Sequence, residues 1–126
     1  EKIDSNLYPG GLIPVFTPNH NEPKHSYCKV DEYDSLLQLK EKEIISDLAT
    51  VGVYYFADEC DWIKAHEKQM AANDRTNNEF YLAPTYNYLE ENVGVHRIDE
   101  MIGMGTPEEL NEFKNSVWWD KLDEAF

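Results

Sequence analysis

Apolar and polar positions follow distinct spacings along the chain, and each spacing predicts an element. Leu12-Ile13-Pro14-Val15-Phe16 is a short apolar run. It predicts a strand in which Pro14 marks an edge or a bulge. Residues 17–24 (TPNHNEPK) are dense in Pro and Asn and read as a loop. Residues 26–31 (SYCKVD) alternate, and residues 36–42 (LLQLKEK) begin apolar and turn charged. The turn-like Glu32-Tyr33-Asp34-Ser35 between them predicts a β-hairpin. Residues 49–56 (ATVGVYYF) are continuously apolar and β-rich, which predicts one strand buried on both faces of a mixed or parallel sheet. Gly52 in its middle is a cost unless something packs close to the backbone there.

Further on the period lengthens. Trp62, Ile63, Ala65, His66, Met70 and Ala71 fall near helical spacing and predict a helix over 58–73. After a polar loop at 74–78, residues 79–92 read as a second helix with Pro84 in its first turn. Residues 94–98 (GVHRI) predict a strand. Thr106, Pro107 and Glu109 suit the N-cap, first and third positions of another helix. Ser116 is a cap for a last helix within 114–126 that carries Val117, Trp118, Leu122 and Phe126. Strand, hairpin, strand, helix, helix, strand, helix is an α/β order with some antiparallel pairing.

The chain has 126 residues, a length that suits one domain spanning 1–126. Acidic residues number 25 against 11 basic ones, a net charge of -14. That balance argues against nucleic acid and anionic membrane surfaces as partners. Eight Tyr, five Phe and three Trp argue against disorder. No apolar run approaches the roughly 20 residues that cross a bilayer. Cys28 and Cys60 are too few for a disulfide scaffold, so reduced thiols and a cytoplasmic location are expected.

Several clusters offer chemistry. Glu41-Lys42-Glu43 at a strand end is either a solvated charged tip or a phosphate-binding point charge beside a carboxylate that accepts from hydroxyls. Asn77-Asn78-Glu79 is either a helix cap with a dipole-facing carboxylate or one ligand of Mg²⁺. His20, His25 and Cys28 have spacings that suggest zinc, but no fourth ligand lies near. His66 and His96 have no partner pattern. Gly105-Thr106-Pro107 is a capped helix start, where anions can also bind. Neither phosphate-binding glycine signature nor a nucleophile elbow is present.

Four blocks occur in order: residues 39–43 (LKEKE), 45–56 (ISDLATVGVYYF), 77–84 (NNEFYLAP) and 103–110 (GMGTPEEL). Together they resemble the sugar-phosphate nucleotidyltransferase family, in the branch associated with capsule, cell-envelope and nucleotide-sugar synthesis. The resemblance runs from about Gly11 to about Phe113. It implies a partial Rossmann-like α/β fold, that of the nucleotide-diphospho-sugar transferases, with a mixed sheet and flanking helices. It implies a reaction in which a sugar 1-phosphate attacks the α-phosphorus of a nucleoside triphosphate and pyrophosphate leaves, with Mg²⁺ as cofactor. Glu41 matches the family's acceptor from sugar hydroxyls and Lys42 its sugar-phosphate ligand. Thr50, Val51 and Gly52 match its sugar-lining strand. Glu79 matches the Glu that opens a metal-binding turn, but Pro84 stands where related branches carry the metal Asp.

The family's triphosphate-binding loop and first metal Asp have no counterpart in the chain. The expectation is therefore the sugar-binding half of such an enzyme, inactive alone, with a possible homodimer covering the surface that faces the absent half. The alternative is a non-catalytic acidic binding or regulatory domain of the same fold. A related glycosyltransferase would need an Asp-x-Asp motif, which the chain lacks.

Overall fold

A computed structural model describes residues 8–125. The first seven residues and Phe126 lie outside it. The described chain forms a six-stranded sheet with three α-helices and one 3-10 helix.

Strand β1 (Gly11–Phe16) is the axis of the sheet rather than its edge. On one side it pairs in parallel with β6 (Val93–Arg97), from Gly11 opposite Val93 to Val15 opposite Arg97. On the other side it meets two short antiparallel strands. These are β4 (Ala49–Thr50) opposite Val15 and Phe16, and β5 (Tyr55–Phe56) opposite Gly11 and Leu12. The predicted continuous strand over 49–56 is thus broken at 51–54. The gap lies opposite Ile13 and Pro14, where Pro14 has no N–H to give. Only the Pro14 carbonyl is used there, accepting from the Val51 N–H at 3.3 Å.

The expectation that this segment is buried on both faces fails as well, since Val53 is 62% exposed. Gly52 is not required by a close neighbour: a Cβ there would meet nothing within 4 Å. Its φ of +86° is the reason for glycine, and that left-handed kink is what parts β4 from β5. Gly11 is the opposite case. A Cβ on it would lie 2.3 Å from the Tyr55 carbonyl oxygen.

The predicted hairpin is present as β2 (Ser26–Val30) and β3 (Leu36–Glu41), with a bulge between Lys29 and Val30. It joins the sheet through Tyr27 opposite Ala49 and through the Cys28 N–H, which donates to the Leu48 carbonyl at 2.8 Å. The sheet curls. The hairpin turn reaches β6, where Ser35 bridges Gly94 and the Val95 N–H donates to the Asp34 carbonyl at 3.0 Å. Arg97 clamps this closure on the Asp34 carboxylate at 2.8 Å and holds that carboxyl below its usual range. Ile13, Val15, Cys28, Leu39, Leu48, Ala83, Tyr86, Val93 and Val95 form the core within the curl.

Helix α1 (Glu59–Ala71) starts on Asp58, whose carboxylate accepts from the Cys60 and Asp61 N–H groups. It buries only Ala65 and Gln69, while Ile63 and Met70 of the expected apolar stripe stay exposed. The second helix predicted over 79–92 does not form. Residues 83–88 make a 3-10 helix instead (Ala83–Tyr88). The Thr85 N–H and hydroxyl both turn onto the Leu82 carbonyl, at 3.1 and 2.6 Å, and the Leu89 N–H bonds the Tyr86 carbonyl at 3.3 Å. These three-residue closures, with Pro84 lacking a donor, exclude the α-helical ladder. They deliver Tyr86 to the sheet, stacked on Phe56 at 4.3 Å with its hydroxyl donating to the Tyr55 carbonyl at 2.8 Å.

Helix α2 (Pro107–Lys114) carries the expected capping box between Thr106 and Glu109. Helix α3 (Val117–Ala125) lies within the expected 114–126. Between the two helices the Ser116 hydroxyl donates to the Phe113 carbonyl at 2.6 Å, and the Ser116 carbonyl accepts from the Trp119 N–H at 3.2 Å. Trp119 packs edge-on against Phe113 at 5.8 Å, so α3 leans on α2. No described helix is long and apolar enough to cross a membrane.

Candidate functional site

The hairpin register decides what surrounds the Glu41-Lys42 pair. Ser26 stands opposite Glu41, and its hydroxyl donates to the Glu41 carboxylate. One residue on, the backbone turns sharply. Lys42 adopts a left-handed φ of +56°, and its N–H donates to the His25 carbonyl at 3.0 Å. The turn sends the Lys42 side chain toward Tyr81, with Nζ 3.0 Å from the hydroxyl and 5.0 Å from the ring centroid. The Tyr81 hydroxyl holds the Lys42 ammonium above its usual pKa, with smaller contributions from Glu41 and Glu79. A lysine charged at neutral pH beside a carboxylate is therefore presented at the end of β3.

Tyr81 is held in turn by α1. The fully buried Gln69 donates from Nε2 to the Tyr81 carbonyl at 2.8 Å, and its Oε1 meets His66 Nδ1 at 2.9 Å. His66 stacks on Trp62, with ring centroids 5.6 Å apart. The histidine without a sequence partner is thus a structural member of the α1 contact.

Thr50 joins the cluster through a residue that sequence reasoning missed. The buried Thr50 Oγ1 lies 2.9 Å from the Tyr54 hydroxyl. Burial pushes that hydroxyl above its usual pKa, and hydrogen bonds with Thr50 and Ser26 oppose the shift. The Thr50 and Tyr54 hydroxyls thus form a pair, and the Glu41 carboxylate that Ser26 holds acts electrostatically on the Tyr54 hydroxyl. Such a set offers donors and acceptors suited to a polyhydroxylated ligand, beside one ammonium suited to an anion. Ser26 was legible in principle, because a hairpin centred on residues 32–35 sets it opposite Glu41. Tyr54, Tyr81 and Gln69 carried no comparable signal. Val51 is half-buried and donates to Pro14, while Gly52 lies in the exposed kink with open space on its Cβ side.

Glu79 is not at a helix start. It closes a tight turn with Thr76 through two backbone bonds, at 2.9 and 3.0 Å, with Asn77 and Asn78 both left-handed. Its carboxylate is exposed, and its charge acts on Lys42. Among the described residues no group of three His, Cys, Asp or Glu side chains gathers as a metal site. A Mg²⁺ on Glu79 would therefore need its other ligands from water and substrate phosphates. The zinc spacing fails for want of such a group. Cys28 is fully buried, its thiol pushed up to about 12 by burial, and the His25 ring packs on Phe16 and Tyr27. The N-terminus of α2 serves its own chain: the Gly105 N–H donates to Glu109 at 2.9 Å, and Glu109 pairs with Lys24 at 2.9 Å.

Of two larger grooves, one includes Glu41 of the cluster and the other lies apart from it. One, about 840 Å³, runs along β3 and is lined by Glu41, Lys40, Arg75, Pro84 and Asn87 among others. The other, about 720 Å³, lies between His25, Met101, Met104, Phe113 and Trp118.

No family model matches the sequence, and no curated protein does. Among solved structures the chain is similar to the nucleoside-diphosphate-sugar pyrophosphorylase from Vibrio cholerae RC9, with a TM-score of 0.77 and 29% identity. That likeness covers 89% of this chain and 48% of the other, so the chain spans about half the length of the protein it matches. The mixed α/β architecture with its curled sheet is thus nucleotidyltransferase-like.

Proposed function

We propose that this chain supplies the sugar-phosphate-binding part of a nucleotidyltransferase. One observation carries the reading: the Glu41 carboxylate, held by Ser26, and the ammonium of Lys42, held by Tyr81, stand together at one strand end. The likeness to a pyrophosphorylase acting on nucleoside-diphosphate sugars supports it. In this reading Glu41 accepts from sugar hydroxyls, Thr50, Val51 and Gly52 line the sugar, and Lys42 neutralises the phosphate of a sugar 1-phosphate. A phosphate oxygen of that sugar attacks the α-phosphorus of a nucleoside triphosphate. The bond to the β-phosphate breaks, and pyrophosphate leaves with its electron pair. The contribution of these residues is positioning and charge neutralisation. No step is assigned to a metal held by Glu79. The triphosphate is held by groups outside this chain, so the chain alone releases no pyrophosphate.

Titration with glucose 1-phosphate, followed by backbone amide shifts, tests the reading. Shifts grouped at Glu41, Lys42, Thr50 and Tyr54 are expected. Shifts confined to the groove beside Met104 and Trp118, or none at all, contradict it.

A further inference from the structure

We propose that Asn87 is a positioning residue for the Glu41-Lys42 pair, a role that rests on the reading of that pair as a sugar-phosphate site. Strand β3 ends the sheet on its side, with β2 as its neighbour. Leu39 stands opposite Cys28 in the register, yet its own N–H and C=O bond to Asn87. The Asn87 Oδ1 accepts from the Leu39 N–H at 2.8 Å, and Nδ2 donates to the Leu39 carbonyl at 2.8 Å. One side-chain amide thereby makes both bonds that a further strand would make. Of the side chains, only a carboxamide both donates and accepts in this forked geometry.

The same segment grips the strand again beyond its end. Tyr81, just ahead of the 3-10 helix, meets the Lys42 ammonium at 3.0 Å. From the β2 side, Ser26 holds the Glu41 carboxylate and the His25 carbonyl holds the Lys42 N–H. Lys42 is in a left-handed conformation that a non-glycine residue keeps only where its surroundings fix it. Asn87 provides the fixed point on the open edge from which that turn departs. It touches neither Glu41 nor Lys42 through any of its hydrogen bonds; its effect passes through Leu39.

The test uses the full chain, ¹⁵N-labelled, as wild type, Asn87→Asp and Asn87→Leu. Asn87→Asp keeps the acceptor and loses the donor, and it covers the case in which Asn87→Leu does not fold. Amide hydrogen exchange is read at Lys42, bonded to His25, and at Ile98, bonded to Val15 on the far side of β1. The expected result is exchange at Lys42 faster by about tenfold or more with Ile98 unchanged. Lys42 within about twofold of wild type overturns the proposal, as does an equal loss at both sites, which is general loosening. Affinity for glucose 1-phosphate is expected to fall by about fivefold or more in both variants, and undiminished affinity in a variant whose Lys42 exchange has risen overturns the role. If the wild type does not respond to glucose 1-phosphate, the sugar-phosphate reading fails, while the exchange data still decide whether Asn87 positions the pair.

Discussion

Lys42 Nζ lies 3.0 Å from the Tyr81 hydroxyl, across 39 positions of sequence. This contact raises the lysine's pKa. The stabilisation from the raised pKa is fully present below the ordinary lysine range and is lost as pH climbs through the folded value. Tyr81→Phe should therefore bring the Lys42 pKa back toward its usual value, read from side-chain ¹⁵N resonances between pH 9 and 12. An unchanged titration in Tyr81→Phe would mean that the contact is not populated in solution.

Gly11 and Gly52 separate two demands on glycine. Gly52→Ala places a methyl group in open space and costs only the left-handed backbone, about 1–2 kcal/mol. Gly11→Ala drives a methyl group into the Tyr55 carbonyl and parts β1 from β5, so it should cost clearly more. Urea unfolding of the two variants checks the order, and a costlier Gly52→Ala would contradict the kink described at 51–54.

Ile13 is fully buried at the centre of the curled sheet. Ile13→Val should cost about 1 kcal/mol and Ile13→Ala about 2–5 kcal/mol, because the closed curl limits collapse around the cavity. Chemical denaturation provides the measurement, and equal costs would show that the site relaxes freely.

Burial, aided by the neighbouring Lys24, holds the His25 pKa below its ordinary value, and Glu22 and Glu109 oppose this only in part. The unfolded chain then binds the proton first as pH falls. Stability attached to His25 is thus present above the ordinary histidine pKa and declines as pH drops from about 6.5 through the folded value. Replacement by Phe should flatten the melting temperature over that window. A slope that persists in His25→Phe would assign the effect to other groups.

Local rules carried the hairpin, the capping box of α2 and the start of α1, because each depends on residues close in sequence. The break in the 49–56 strand was marked by Gly52, yet its meaning depends on Pro14 across the sheet. The segment at 79–92 has helix-like spacing. It yields to Asn77 and Asn78 in left-handed conformations, to the Thr85 hydroxyl on the Leu82 carbonyl, and to the stacking of Tyr86 on Phe56. At the site, Glu41, Lys42 and Thr50 were visible as motif positions. Tyr81 and Asn87 were not, because a contact spanning 39 or 48 positions leaves no periodic trace, and Tyr54 was not, because the kink at Gly52 rather than a straight strand brings it onto Thr50.

In the proposed function the Lys42 ammonium receives the phosphate of a sugar 1-phosphate. Calorimetric titration of the wild type and Lys42→Ala with glucose 1-phosphate, with glucose as control, tests it most directly. Binding of glucose 1-phosphate should be weaker by about tenfold or more in Lys42→Ala, with the response to glucose unchanged. Equal affinity of the two proteins for glucose 1-phosphate would contradict it.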